Sequence, residues 1–119
     1  MMRIGQIILR VSDMDESVRF WSAAVGFEVT MRGESFSFLN GANIQLTLNQ
    51  IDDRPEDGSL TEVVIEVDEI MNSHRELSAR GVPFEVEPRM VMSDGERELW
   101  ATHFRDPDGH LASIVGWVG

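Results

Sequence analysis

Three histidines, an abundance of acids and a complete lack of cysteine decide which chemistries this chain can support. Without cysteine there are no disulfides, thiolate metal sites or cysteine nucleophiles. No Gly-x-Ser-x-Gly elbow exists, and Ser113 reads as a strand residue with no sharp turn to expose it, so serine hydrolase chemistry finds no frame. Gly33, Gly41, Gly58 and Gly95 stand singly in turns rather than in a phosphate-cradling loop. Glu62 and Glu66 share one strand face, but a chain this acidic places such pairs together without any catalytic purpose. Among the histidines, His74 falls on the inner stripe of a helix and reads as packing. His110 follows a turn glycine and reads as a surface residue, so His103 is the candidate base or hydrogen-bond donor. Glu62 and His103 are the catalytic candidates these residues offer.

The elements that must position such residues follow from periodicity. Residues 3–11 alternate as a strand, with Ile7, Leu9 and Val11 inward and Gln6, Ile8 and Arg10 outward. Ser12 or Asp13 then caps a helix whose stripe is Met14, Val18, Trp21 and Val25, and Gly26 stands where a left-handed C-terminal cap belongs. Three short strands follow to Asn49, with turns at Arg32-Gly33-Glu34 and Asn40-Gly41. In the last of them Ile44, Leu46 and Leu48 alternate with Gln45, Thr47 and Asn49. The pattern then repeats. A strand over 60–67 alternates Val63, Ile65 and Val67 with Glu62, Val64 and Glu66. Asp68 is the expected cap of a helix with Ile70, His74 and Leu77 inward, ending at Gly81-Val82-Pro83. Strands are expected around 84–91, 98–105 and 110–117. Phe27-Glu28-Val29 recurs as Phe84-Glu85-Val86, and the turn Asp106-Pro107-Asp108-Gly109 echoes Asn40-Gly41. The expected fold is therefore α+β, two tandem β-α-β-β-β modules of about residues 1–50 and 59–119 within one domain spanning 1–119, joined by a polar linker.

Composition sets outer limits. A chain of 119 residues with 42% hydrophobic content suits one compact domain. A formal net charge of −11 repels nucleic acid and anionic membranes, leaving a small molecule as the expected partner. No apolar run approaches the ~20 residues of a membrane span, and the first residues lack the apolar core of a signal peptide, so a cytoplasmic location is expected. Trp21 reads as core, whereas Trp100 and Trp117 could serve equally as core, subunit interface or an aromatic wall.

Leu9-Arg10-Val11-Ser12-Asp13 leading into a helix with Phe20-Trp21, the helix end Val25-Gly26-Phe27, and Phe104-Arg105-Asp106-Pro107-Asp108-Gly109-His110 together resemble the vicinal oxygen chelate superfamily. This is the group of glyoxalase I, bleomycin-resistance proteins, fosfomycin-resistance enzymes and extradiol dioxygenases. The resemblance covers essentially the whole chain. It implies a curled mixed sheet around a shared cleft, commonly completed across a homodimer. It also implies metal-ligand places on the first and last strand of each module, held here by Gln6, Gln45, Glu62 and Ser113. Strand alternation puts these on the polar faces. The donor set is nonetheless poor for a dication, with one carboxylate, two amides and a hydroxyl. Expected cleft residues are Gln6, Ile8, Arg10, Gln45, Thr47, Glu62, Val64, Leu111 and Ser113.

Two function classes follow. One is a bleomycin-resistance-like protein that binds or sequesters an apolar or aromatic, and in one variant cationic, small molecule without a catalytic metal. The other is a lyase, isomerase or dioxygenase using a divalent metal such as zinc, nickel, manganese or iron on a vicinal-oxygen substrate. Loss of the fourth acidic donor favours the first.

Overall fold

In the computed structural model, residues 4–51 and 62–119 are described. The polar linker expected from the sequence lies, from Asp52 onward, outside them. The chain divides into two compact units, Met1–Gly58 and Ser59–Gly119. No helix among the described residues is long and apolar enough to cross a membrane.

In the first unit, β1 (Gln6–Val11) leads to α1 (Met14–Val18), which continues as a π-helical segment (Arg19–Val25) before β2 (Glu28–Arg32), β3 (Phe36–Asn40) and β4 (Gln45–Gln50). The sheet order is β1-β4-β3-β2, with β1 parallel to β4 and the remaining pairs antiparallel. Asp13 is the N-cap, its carboxylate accepting from the Glu16 amide at 3.1 Å. The helix ends at Gly26, whose φ of 116° lies in the left-handed region, and the amides of Gly26 and Phe27 both donate to the Trp21 carbonyl. The π-helical turns shift the phase of the inner face. Met14 and Trp21 are buried as expected, but Ser17 is buried while Val18 and Val25 are only half-buried. Trp21 stacks on Phe27 and meets Phe20 edge-on, closing the core with Leu9, Val11, Leu39, Leu46 and Leu48. Ile7, expected inward, is 40% exposed at the open end of its strand.

The second unit repeats the plan. β5 (Glu62–Glu66) leads to α2 (Ile70–Ala79), then β6 (Arg89–Ser93), β7 (Glu98–Arg105) and β8 (Leu111–Val118), in the order β5-β8-β7-β6. The parallel pair is again first strand with last. Both units are thus four-stranded mixed sheets carrying one helix each, the α+β arrangement expected. Each also carries a register irregularity at the same place, between Val29 and Met31 in β2 and between Met90 and Met92 in β6.

Two local expectations change. Glu69 rather than Asp68 holds the N-cap place of α2, and its side chain makes no capping hydrogen bond. The strand expected over 84–91 begins only at Arg89. Pro88 has no amide to give a ladder, and the Val86 carbonyl accepts from the Thr102 hydroxyl, so Phe84 makes a single isolated bridge to Phe104 instead. That bridge sets Phe84 edge-on to Phe104 and against His74, whose ring centroid is 4.6 Å away. His74 is accordingly a packing residue. At Gly116 a Cβ would meet that of Ile70 at 3.1 Å, so the missing side chain is what lets α2 lie this close to β8.

Candidate functional site: the open faces of the two sheets

In each unit the helix packs on the last strand and the strand beside it, α1 on β4 and β3, α2 on β8 and β7. The residues turned to the helix are Leu46 and Leu48 in β4, Thr102 and Phe104 in β7, and Ala112 and Ile114 in β8, all buried. By alternation the opposite, open face of the first sheet carries Gln6, Ile8 and Arg10 from β1, Gln45, Thr47 and Asn49 from β4, and Phe36, Phe38 and Asn40 from β3. That of the second carries Glu62, Val64 and Glu66, then Leu111, Ser113 and Val115, then His103 and Arg105. Every cleft residue expected from the sequence is on one of these two faces.

On the first face, Gln6 and Gln45 are directly opposite in the parallel register. Gln45 Nε2 donates to Gln6 Oε1 at 3.3 Å and to Thr47 Oγ1 at 3.1 Å, while Thr47 Oγ1 donates to Gln6 Oε1 at 2.5 Å. The three side chains form a closed hydrogen-bonded ring. Thr47 is only 1% exposed, so its hydroxyl depends on these partners. Ile8, opposite Thr47, is 49% exposed, and Phe36, one row further along opposite Asn49, is 46% exposed.

On the second face the ladder is shifted by two residues. Ser113 lies opposite Val64 and Leu111 opposite Glu62. Ser113 Oγ reaches diagonally to donate to Glu62 Oε2 at 2.9 Å. Its counterpart in the first unit is the diagonal Thr47–Gln6 bond, so Thr47 performs there what Ser113 performs here. Counting four residues from each turn glycine equates Ser113 with Gln45; the parallel ladder equates it with Thr47. A shift of two preserves facing, which is why alternation still put all of them on the right side.

His103 is settled by the same ladder. It lies opposite Ser113 and therefore on the open face. Its Nε2 is 3.1 Å from Glu85 Oε1, and Arg105 Nε is 3.5 Å from Glu85 Oε2, so one carboxylate holds two side chains. Glu85 was not among the candidate residues; the structure brings it to His103 through the bridge of its neighbour Phe84 to Phe104. His110 lies at the turn, half-buried, its amide bonded to the Asp106 carboxylate. Trp100 is half-buried with Nε1 donating to Glu98, and the Arg97 guanidinium lies 4.3 Å from the Trp117 ring centroid.

A family model described as the Glyoxalase/Bleomycin resistance protein/Dioxygenase superfamily matches residues 3–114. The chain belongs to that superfamily. Virulence protein STM3117 of Salmonella typhimurium is 28% identical over 124 residues, covering 98% of this chain and 85% of that protein. Metallothiol transferase FosB of Lysinibacillus sphaericus is 26% identical over 116 residues, covering 90% of this chain and 77% of its own length. Among solved structures, a superfamily member from Alicyclobacillus acidocaldarius superposes with a TM-score of 0.80 at 18% identity, covering 97% of this chain and 91% of that one.

Members of this superfamily often use divalent metals. Among the described residues no group of three or more His, Asp or Glu stands together to hold an ion. In the first unit the amide oxygen of Gln6 is already engaged by two donors, and in the second the carboxylate of Glu62 takes the Ser113 hydroxyl. A hard dication needs several charged or strongly basic donors. This set does not fit one.

Proposed function

We propose that this superfamily member binds a small apolar or aromatic molecule on an open sheet face and holds it without a catalytic metal, as a sequestering protein. The observation that carries this reading is the exposure of Ile8 and Val64, 49% and 54%, beside side chains whose polar groups are already hydrogen-bonded to one another. Apolar wall with a few oriented polar groups is the composition of a ligand site, whereas a metal site would present unspent charged donors.

Glu62 tests it. Glu62→Gln keeps an oxygen to accept the Ser113 hydroxyl but removes the charge, so the fold is retained and only ligand recognition changes. A panel of aromatic and cationic aromatic compounds, read by thermal shift on both proteins, is expected to raise the parent's melting temperature. The cationic members should lose most of their effect on Glu62→Gln. A panel that moves neither protein removes the reading.

The relationship to FosB favours a second reading, a metal-dependent transferase, lyase, isomerase or dioxygenase. Metal content of protein purified without chelator separates the two. A homodimer of this chain, in the cytoplasm, completes the proposal. Its support is the exposed apolar surface of Met90, Val91 and Met92 on the edge strand β6. Sedimentation at micromolar concentration is expected to give twice the 13.4 kDa chain mass, and a clean monomer refutes it.

A further inference from the structure

The ring formed by Gln6, Gln45 and Thr47 has a hydrogen-bond balance that can be counted. Gln45 Nε2 has two protons, and its two bonds, to Gln6 and to Thr47, use both. Thr47 Oγ1 accepts one bond and donates one. Gln6 Oε1 accepts two. What the ring leaves over, among the described residues, is the NH2 group of Gln6 and the carbonyl oxygen of Gln45. With Gln45 Nε2 donating to the threonine hydroxyl, the single hydroxyl proton goes to Gln6 Oε1. Turning one amide over alone would set donor against donor or acceptor against acceptor, whereas turning both reverses the ring and still leaves one donor and one acceptor side by side.

Gln6 and Gln45 are side by side across the parallel ladder, so the leftover donor and acceptor are neighbours on an exposed face. Asn40 is the next residue in the same cross-strand row, opposite Gln45 on its other side. Asn40 and Gln45 also border a hollow of about 360 Å³ at the end of the sheet, lined by Thr30, Leu39, Asn43 and Ile44 and not by Gln6. The next row along the face carries Ile8 and Phe38 on either side of Thr47, and Phe36 lies one row beyond, opposite Asn49. No formal charge stands at Asn40, Gln45 or Gln6 themselves; the row continues to Glu28 beyond Asn40, and Arg10 lies further along the same face of β1.

We propose that this end of the first unit recognises a neutral amide, of the lactam or carboxamide kind, attached to the apolar body of the ligand. The inference rests on the reading of the open face as a ligand site and adds the ligand's head group. The ligand carbonyl accepts from Gln6 Nε2, and the ligand N–H donates to Gln45 Oε1. An amide carries these two groups in the complementary order. A carboxylate lacks the donor, and an ammonium group lacks the acceptor. The apolar body lies against Ile8, in the row next to Gln6 and Gln45.

The test uses three probes of one shape: quinolin-2(1H)-one, its N-methyl derivative and quinoline. Binding is measured by calorimetry and by NMR of the side-chain amide resonances, with chelator present. The lactam is expected to bind the parent about five- to tenfold more tightly than the N-methyl compound, the value of one hydrogen bond left unmade. The Gln6 and Gln45 side-chain resonances should move with the lactam and stay in place with quinoline. Gln6→Glu retains an oxygen for Thr47 and Gln45 but replaces the outward donor by an acceptor, so the lactam's advantage should fall below about twofold. Equal binding of lactam and N-methyl compound by the parent overturns the amide assignment while leaving the open face a ligand site. No binding of any probe at millimolar concentration overturns both. A preference that survives in Gln6→Glu refutes the role of Gln6, and should that variant fail to fold, the parent's probe comparison and amide shifts decide alone.

Discussion

Thr47→Val removes a hydroxyl from a position that is 1% exposed and changes little else, because the two side chains have nearly the same shape. Two hydrogen bonds disappear, the one accepted from Gln45 Nε2 and the one donated to Gln6 Oε1. A net contribution of about 0.5–1.5 kcal/mol for each sets an upper range of roughly 1–3 kcal/mol. The groups set free belong to Gln6, which is exposed, and Gln45, which is half-buried, so water takes over much of what is lost. The added methyl also recovers some apolar burial. The expected cost is therefore about 1 kcal/mol, or a fall in melting temperature of roughly 3–6 °C for a domain of this size. Thr47→Ser keeps the hydroxyl and gives up only the methyl. Urea and thermal unfolding of the three proteins decide the matter. The reasoning also requires that Thr47→Val free the Gln6 amide to rotate, visible as averaging of its side-chain resonances. If Thr47→Val matches or exceeds the parent in stability and those resonances stay sharp, the ring does not organise this face.

Two further outcomes follow from the same structure. Ser113→Glu introduces a second carboxylate at a position that is 4% exposed and close to Glu62, so it should lower stability at neutral pH and raise affinity for manganese or nickel at least tenfold, which titration calorimetry on both proteins measures; no gain in affinity shows that position 113 is not a ligand place. Asp94, in the turn between β6 and β7, accepts from the amides of Arg97 and Glu96, and these bonds, that of Arg97 first, hold its carboxyl below the usual Asp value; since folding lowers its pKa, its contribution is present at neutral pH and is lost as pH falls through the folded value, so the amides of residues 96 and 97 should lose exchange protection there and Asp94→Asn should lose the pH dependence.

The sequence by itself determined the elements and their faces. Asp13 and Gly26 bracket a helix because a carboxylate satisfies free amides at one end and a residue without Cβ tolerates positive φ at the other, both effects of a few neighbouring residues. The alternation of Gln45 and Thr47 against Leu46 and Leu48 fixed which side met the helix, since side-chain direction in a strand has period two whatever the strand pairs with. The duplication was legible for the same reason: each copy repeats its helix-ending glycine and its alternation. Tertiary structure alone decided the register. That Ser113 falls opposite Val64 while Gln45 falls opposite Gln6 depends on how far one strand slides along another, and a slide of two residues leaves every alternation unchanged. The facing of His103 needed β8 as its reference, and its partner Glu85 reaches it only because Pro88 and the Thr102 hydroxyl keep 84–88 out of β6 and leave Phe84 bridged to Phe104. These are contacts between residues far apart in the chain, whose energies exist only once the strands have met.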